Sequence, residues 1–280
     1  MTISTQSTIG FIGAGNMAEA ILRGILGELW CKPEGIFLAD VRAERVQELC
    51  NELGVQAAQS NQDLVEKCDR IILAVKPQNI KELVAEIKSF TRHNHLFISI
   101  LAGVTTRQLE RGLMHPNNMA PRVVRVMPNT PALIKRGVTA WAKGTNADEE
   151  CGEITKQFFE NISLVQEVDE LAMDAVTGLT GSGPAYVFRF MEALIEAGIA
   201  QGLPKESVPK MVAELVAGAA ELARQSGEDP GVLRERVTSP NGTTAAGLDY
   251  MNQHNLSAIV AGGVAAATER SKELAREQDA

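Results

Sequence analysis

The segment 8–27 constrains the fold most, because a glycine-rich turn stands there between a strand pattern and a helix pattern. The apolar run TIGFIG is followed directly by the helix-period sequence NMAEAILRGILGEL. The turn carries Gly13, Gly15 and Ala18 in the spacing G-x-G-x-x-[GA]. Gly13 permits a tight turn, Gly15 lets a pyrophosphate approach the backbone, and Ala18 allows the helix to pack closely on the strand. This segment therefore predicts a dinucleotide-binding site.

The rest of the first half repeats this alternation of strand and helix. Helical stretches such as 78–90 and 147–161 lie among short apolar or β-branched runs, which are IFLAD, RIILAV, HLFISI, RVVRVM and GVTAWA. A sheet that is covered by helices on both faces has this signature. We therefore predict an α/β chain in which residues 1–165 form a Rossmann-type, doubly wound dinucleotide-binding domain.

After about residue 165 the strand patterns stop, and helical periodicity continues over residues 166–280. Segments such as LVAGAAELA and IVAGGVAAATE place small residues three and four positions apart, which lets helix backbones approach closely. Long helices with few large side chains make a small core of their own. We therefore predict a C-terminal all-α dimerisation domain in a homo-oligomer; a self-contained helical bundle is the alternative.

Charge and composition narrow the partners. The net charge of −8 argues against nucleic acid and anionic membranes, and the chain shows neither a membrane-length apolar run nor a secretion signal. The four cysteines form no C-x-x-C pair, and His93 and His95 have no acidic or cysteine companion, so we predict no metal site. We expect a cytoplasmic protein that acts on a small molecule.

The second strand pattern ends at Asp40, where an acidic side chain binds the adenosine ribose of NAD in folds of this kind. Arg42 and Arg45 follow at once, and a guanidinium there pairs with the additional phosphate of NADP. Both arginines are equally compatible with solvated positions on a helix. These residues alone leave the choice between NADP(H) and NAD(H) open.

Three later strand patterns end in small, polar or proline-containing turns. LAVKPQ places Lys76 and Pro77 at the carboxyl edge of the sheet, SILAGV places Ala102 there, and MPNTP follows the next strand. Ligands of open α/β sheets bind along this edge. We therefore predict a backbone-lined trough for the nicotinamide and its ribose, although each turn alone is also an ordinary connection.

The second half contains two further turn motifs. In GLTGSGPAYVF, Val187 occupies the place of the lysine that gives a proton in β-hydroxyacid dehydrogenases, so ketone reduction is disfavoured. In SPNGTT, small residues precede a predicted helix, so we expect the N–H groups of Gly242, Thr243 and Thr244 to be free and to bind a carboxylate. An ordinary helix cap is the alternative.

The motifs GAGNMA, LAVKP, MPNTP, DAVTGLTGSGPAY and TSPNGTTAAGL, in this order and spacing, resemble those of the pyrroline-5-carboxylate reductase family over nearly the whole chain. The resemblance implies reduction of (S)-1-pyrroline-5-carboxylate to L-proline, the final step of proline biosynthesis, by hydride transfer from NADPH or NADH. A cyclic imine can arrive already protonated, which agrees with the missing lysine.

The resemblance also implies roles for particular residues and an oligomeric active site. Thr244 would be the catalytic residue, with its hydroxyl near the ring nitrogen, and dimers with interleaved helical domains would assemble further, up to a decamer. Leu101 stands where many relatives have Ala and would narrow the nicotinamide trough. The predicted substrate-binding residues are Ser239, Asn241, Gly242, Thr243 and Thr244. The predicted cofactor-binding residues, with Asp40 and Arg42 included, are Gly13, Ala14, Gly15, Asn16, Met17, Asp40, Arg42, Asn61, Ala74, Val75, Lys76, Pro77 and Ala102.

Two other interpretations remain open at this point. A hydroxyacid or ketopantoate-type reductase has the same fold but is disfavoured by Val187. A dinucleotide-binding module without catalytic activity, such as a redox sensor, would keep GAGNMA but would not need the uncharged motif SPNGTT.

Overall fold

The computed structural model describes residues 8–27, 31–117 and 120–279. Among them, eight strands form one sheet in the order β3-β2-β1-β4-β5-β6-β7-β8. The strands are β1 Ile9–Ile12, β2 Ile36–Ala39, β3 Gln56–Ala57, β4 Arg70–Leu73, β5 Leu96–Ser99, β6 Arg122–Met127, β7 Gly137–Lys143 and β8 Ser163–Glu167. The α-helices are α1 Asn16–Gly27, α2 Ala43–Leu53, α3 Asn61–Lys67, α4 Ile80–Ile87, α5 Thr106–Gly112, α6 Glu149–Glu160, α7 Met173–Val176, α8 Gly183–Ala200, α9 Val208–Ser226, α10 Pro230–Arg236, α11 Thr243–Gln253 and α12 Leu256–Asp279.

Strands β1 to β6 are all parallel, and their order is that of a Rossmann fold. The strand β7 runs antiparallel to β6, and β8 runs parallel to β7. The predicted Rossmann-type sheet and the predicted all-α C-terminal region are confirmed. The strands β3 and β8 and the helices α3, α5 and α10 were not predicted, because each is short or carries a polar pattern without clear periodicity.

The apolar strands are buried on both faces, as predicted. Ile9 and Phe11 pack into the cluster that α1, α2 and α6 cover, whereas Ile12 belongs to the cluster under α3, α4 and α5. This follows from the period of two residues along a strand. Gly10 lets α3 approach, since a Cβ there would lie 2.3 Å from Leu64 Cδ2.

The chain forms two compact units, Met1–Ser182 with Ala266–Ala280, and Gly183–Ala265. From the sequence we predicted a boundary after residue 165. In the structure β8 continues to Glu167, and Met173 of α7 is buried against Ala140 and Ala142 of β7. The segment after β8 therefore packs with the sheet up to Ser182.

The second unit, residues 183–265, is entirely α-helical apart from its connections. Val208 and Val212 are its buried apolar side chains, while Phe188 is 59% and Ile259 is 67% exposed within the single chain. No helix in the described part of the chain has the length and apolar character needed to cross a membrane.

A buried arginine ties the segment after β8 to the sheet. Arg125 of β6 is 2% exposed, and its guanidinium lies 3.0 Å from Glu170 Oε1 and 3.5 Å from Asp174 Oδ1. The Thr106 N–H, at the start of α5, also donates to Glu170. The Ser271 hydroxyl of α12 donates to Asp174 at 2.7 Å. One cation thus connects β6 with three other parts of the first unit.

Arg125→Met is expected to lower the free energy of unfolding by about 3 kcal/mol, because it leaves two partly buried carboxylates without their cation. Lys156→Met is the matched control, since Lys156 forms an exposed pair with Glu153 at 3.7 Å on α6. Its effect is expected to stay below about 1 kcal/mol. Urea unfolding of both variants measures the difference, and equal stability losses would contradict a stabilising role for the buried ion pairs.

Candidate active site

The glycine-rich turn between β1 and α1 leaves open space over the backbone. Gly13 has φ +105°, and its N–H donates to the Ala39 carbonyl oxygen at 2.7 Å. A Cβ on Gly13 would lie 2.4 Å from the Ala74 carbonyl oxygen, so only glycine fits between the strand ends. A Cβ on Gly15 would meet no atom within 4 Å. Gly13 is therefore required by the fold, and Gly15 leaves room for a ligand.

The helix after this turn begins at the open space. Asn16 is the first residue of α1 and is exposed, and Met17 beside it is half-buried. The N–H groups in the first turn of a helix have no intrahelical acceptor. Together with the helix dipole they form a binding site for phosphate. The predicted residues 13–17 thus form one turn that fits a pyrophosphate.

Asp40 follows β2, and its carboxylate binds the glycine-rich turn. The oxygen Oδ2 accepts the Ala14 N–H at 2.7 Å, and Oδ1 accepts the Arg42 N–H at 2.8 Å. Burial acts to raise the pKa of Asp40, but these hydrogen bonds and the Arg42 guanidinium outweigh it and hold the pKa below its ordinary value. An ionised carboxylate at this position suits the hydroxyl groups of a ribose and repels a phosphate.

The two arginines after β2 differ in their contacts. Arg45 Nε donates to the Ala14 carbonyl oxygen at 3.3 Å, and its guanidinium pairs with Glu19 and Glu48. The Arg42 side chain is 61% exposed and touches Asp40 through Nε at 3.3 Å. Arg45 therefore stabilises the glycine-rich turn, whereas Arg42 is the guanidinium that remains accessible beside Asp40.

The turn after β4 lies directly against the glycine-rich turn. The Ala74 N–H donates to the Ile12 carbonyl oxygen at 2.8 Å, and Val75 is half-buried next to it. Lys76 is exposed, and Pro77 opens a short 3-10 turn that ends at Asn79. The structure thus brings the predicted residues 74–77 together with the predicted pyrophosphate site.

The turn after β5 and the start of α3 complete the set of predicted cofactor residues. Ala102 is half-buried beyond the end of β5. Leu101 is 2% exposed and packs into the core, so the expectation that it narrows the trough is wrong. Asn61 is the first residue of α3, and its amide donates to Glu86 at 2.9 Å. All of these residues belong to the first unit.

The predicted carboxylate receptor lies in the second unit, at the start of α11. The Gly242 N–H donates to the Ser239 carbonyl oxygen at 3.0 Å and Asn241 has φ +58°, as in a type II turn with Pro240 at its second position. The prediction that the Gly242 N–H is free is therefore wrong.

The next two residues keep the expected arrangement. Gly242 is the N-cap of α11, and as a glycine it offers no side chain to the N–H groups of the first turn. The first intrahelical hydrogen bond runs from the Ala246 N–H to the Gly242 carbonyl oxygen. Thr243 and Thr244 are exposed, and their N–H groups belong to the uncapped first turn. This helix start can bind an anion through two N–H groups and two hydroxyl groups.

Three further observations concern metal binding and proton transfer by side chains. In the described residues, no group of three or more His, Cys, Asp or Glu side chains lies close enough to hold a metal ion. Burial and the neighbouring Arg92 lower the pKa of His95 to about 4, and Arg92 Nε lies 2.7 Å from His95 Nε2. The helix α8 that carries Val187 contains neither lysine nor histidine.

Asn129, in the turn after β6, is a candidate site residue that the motif MPNTP alone did not identify. It is 8% exposed, and its amide donates to the Thr180 carbonyl oxygen at 3.0 Å and accepts the Val138 N–H at 2.9 Å. A signal was present, because Arg125, Met127 and Asn129 alternate along one extended segment, and an arginine inside an apolar strand indicates buried partners.

The sheet order and the glycine-rich turn define a Rossmann-type dinucleotide-binding protein with a helical C-terminal region. Two family models match the sequence: "NADP oxidoreductase coenzyme F420-dependent" over residues 8–103, and "Pyrroline-5-carboxylate reductase dimerisation" over residues 170–274.

Relatives match over nearly the full length. The pyrroline-5-carboxylate reductase of Arabidopsis thaliana is 38% identical over 268 residues, which cover 96% of this chain and 95% of that protein. The solved pyrroline-5-carboxylate reductase of Coxiella burnetii is 33% identical with a TM-score of 0.87 and covers 96% of this chain and 98% of its own. The Plasmodium falciparum pyrroline carboxylate reductase, solved with NADP bound, is 30% identical with a TM-score of 0.83 and covers 97% and 99%. The chain belongs to the pyrroline-5-carboxylate reductase family.

Gly15→Ala is expected to leave the fold intact and to weaken NAD(P)H binding by at least roughly tenfold, because the added methyl group occupies the space for the pyrophosphate. Gly13→Ala is the contrasting variant, since its Cβ would press on the Ala74 carbonyl oxygen at 2.4 Å and lower the thermal stability. Fluorescence titration and thermal melts separate the two effects. Wild-type affinity in folded Gly15→Ala would show that no phosphate group lies over this residue.

Proposed function

We propose that this protein is an NAD(P)H-dependent reductase that converts (S)-1-pyrroline-5-carboxylate to L-proline, the final step of proline biosynthesis. The observation that carries the proposal is the uncapped, uncharged start of α11, which fits the substrate carboxylate and lies in the region that matches the reductase dimerisation model. Full-length similarity to reductases of this name supports the same reaction.

The first unit fits the cofactor. A bound nicotinamide dinucleotide supplies the hydride. The open space at Gly15 and the first turn of α1 hold its pyrophosphate, and Asp40 and Arg42 lie where the adenosine ribose binds in this fold. The turn residues 74–77 and Ala102 form the predicted lining for the nicotinamide ribose and ring.

The second unit supplies the substrate receptor. The N–H groups of Thr243 and Thr244 bind the substrate carboxylate, assisted by the dipole of α11. The Thr244 hydroxyl lies near the ring nitrogen of the substrate and forms a hydrogen bond there. The turn Ser239–Gly242, which directly precedes α11, forms one side of the receptor. No protein acid is required, because a cyclic imine that is protonated before it binds becomes neutral at nitrogen when it accepts a hydride.

The enzyme works as a homodimer, and dimers assemble further, up to a decamer. The family model that covers residues 170–274 describes a dimerisation region. In the second unit, large apolar side chains such as Val187, Phe188 and Ile259 are 45%, 59% and 67% exposed in the single chain. Contact with a second copy removes such a surface from water.

We place the enzyme in the cytoplasm. Cys50, Cys68 and Cys151 are free thiols, and Cys68 and Cys151 are buried. Unpaired cysteines are typical of proteins from reducing compartments.

Pyrroline-5-carboxylate is expected to drive oxidation of NADPH or NADH by the wild-type protein, followed at the nicotinamide absorbance. Thr244→Val removes the hydroxyl near the ring nitrogen and is expected to lower kcat by roughly 100-fold with little change in cofactor affinity. Thr155→Val is the control, because Thr155 is buried in α6, where its hydroxyl donates to the Cys151 carbonyl oxygen at 2.8 Å.

The outcomes of this assay distinguish the interpretations. If the wild-type protein binds the cofactor but does not oxidise it with this substrate, the proposed reductase function is wrong. The protein is then interpreted as a dinucleotide-binding module without catalytic activity. Wild-type kinetics in Thr244→Val would remove Thr244 from the mechanism and leave the reaction itself standing.

Asp40→Ser is expected to raise the ratio of kcat/KM for NADPH over that for NADH by roughly tenfold, because it removes the ionised carboxylate that repels the additional phosphate. The exposed Arg42 is then free to pair with that phosphate. Glu48→Ser is the control, since Glu48 carries a similar charge that contacts Arg45 from α2. An unchanged ratio in Asp40→Ser would place Asp40 away from the ribose.

A further inference from the structure

One extended segment of the sheet binds the connection that precedes α8. Side chains at alternate positions lie on the same face of a strand, so Arg125 and Met127 of β6 share one face. The extended backbone of Asn129 continues this alternation beyond the end of β6. All three residues contact the segment 170–181. Arg125 binds Glu170 and Asp174, a Cβ on Gly181 would lie 2.6 Å from Met127 Cε, and Asn129 holds Thr180.

The segment that Asn129 holds is a π-helical turn, Thr177–Gly181, closed by the Ser182 N–H on the Thr177 carbonyl oxygen at 2.9 Å. Such turns are rare in proteins, and those that occur are often found at functional sites. Asn129 Nδ2 donates to the Thr180 carbonyl oxygen at 3.0 Å, while Oδ1 accepts the Val138 N–H at 2.9 Å. Because both ends of the amide are engaged, its orientation is fixed.

The place of this turn along the sheet edge indicates what it positions. β6 is three positions from β1 in the order β1-β4-β5-β6. At about 4.8 Å per strand, the turn after β6 lies roughly 14 Å from the pyrophosphate site. A dinucleotide lies across the carboxyl edge with its nicotinamide on the side of these later strands. The π-helical turn therefore belongs to the nicotinamide end of the edge.

We propose that Asn129 is a positioning residue for hydride transfer: by holding the Thr180 carbonyl oxygen, it fixes the π-helical turn Thr177–Gly181 beside the nicotinamide end of the cofactor site. The proposal rests on the proposed reductase function. In this proposal Asn129 acts through the turn that it holds and not through its own contact with either reactant. The predicted adenosine and pyrophosphate sites lie at β1 and β2, so we expect cofactor affinity to depend little on Asn129.

Asn129→Asp tests this hydrogen bond alone. The introduced carboxyl keeps an acceptor for the Val138 N–H, but its ionised form has no donor for the Thr180 carbonyl oxygen. We expect kcat with pyrroline-5-carboxylate to fall by roughly 100-fold at high pH, since small misplacements cost rate steeply. The loss should diminish as the pH falls, because a protonated carboxyl donates again. The dissociation constant of the cofactor should stay within about twofold of wild type.

Thr91→Val is the matched control, because Thr91 is 3% exposed, its hydroxyl donates to the Lys88 carbonyl oxygen at 2.7 Å, and it lies before β5 at the opposite edge of the sheet. The ratio of its kcat to that of wild type should not vary with pH. If Asn129→Asp does not fold, Asn129→Ser is measured in its place. The serine side chain is too short to reach both the Thr180 carbonyl oxygen and the Val138 N–H. The same loss of kcat at constant cofactor affinity is expected.

Each outcome decides the proposal. A kcat ratio for Asn129→Asp that falls with rising pH at constant cofactor affinity supports it. A ratio equal to that of Thr91→Val, or an equal loss of cofactor affinity in either Asn129 variant, overturns it and leaves Asn129 a purely structural residue. The proposed function fails separately, if the wild-type protein does not reduce the imine.

Discussion

The backbone contact between the turns after β1 and β4 is the constraint on which the cofactor site depends. The Gly13 N–H continues the ladder to β2, and the Ala74 N–H continues it to β1. A side chain on Gly13 would collide with the Ala74 carbonyl group and force the two strand ends apart. Because these parallel strands end together at one edge, the same contact places the open space at Gly15 beside the residues after β4.

Charged side chains dominate the electrostatics of one predicted binding site, and backbone N–H groups dominate those of the other. Around the adenosine position, Asp40 and Arg45 are both held by the backbone of Ala14, so the sign of the local field is set by residues that also stabilise the turn. At α11 the predicted attraction for an anion comes from the Thr243 and Thr244 N–H groups behind the Gly242 cap. A neutral receptor of this kind binds a carboxylate without placing a fixed side-chain charge beside the ring nitrogen.

Local periodicity predicted the sheet and the main helices, because those features depend on neighbours in sequence. The candidate site residues came from turn motifs and from the family resemblance. The errors arose where a distant or conformational partner decides. Leu101 fills a core that only the folded sheet creates, and the Gly242 N–H is lost to a turn set by φ of Asn241. Asn129 was missed since Thr180, its partner, lies 51 residues away. A motif shows which residues stand together in sequence, and it does not show which carbonyl group requires a donor.

The buried cation on β6 also explains why similarity and contacts divide the chain differently. The reductase dimerisation region begins at residue 170, yet the first compact unit continues to Ser182 and includes residues from Ala266 onward. Both ends of the helical region meet at Asp174, which pairs with Arg125 and accepts the Ser271 hydroxyl. Leaving that guanidinium unpaired would cost several kcal/mol, so the residues at the start of the region stay with the sheet. Both Asp174 and Ser271 therefore belong to the first unit, although they lie within the region that matches the dimerisation model.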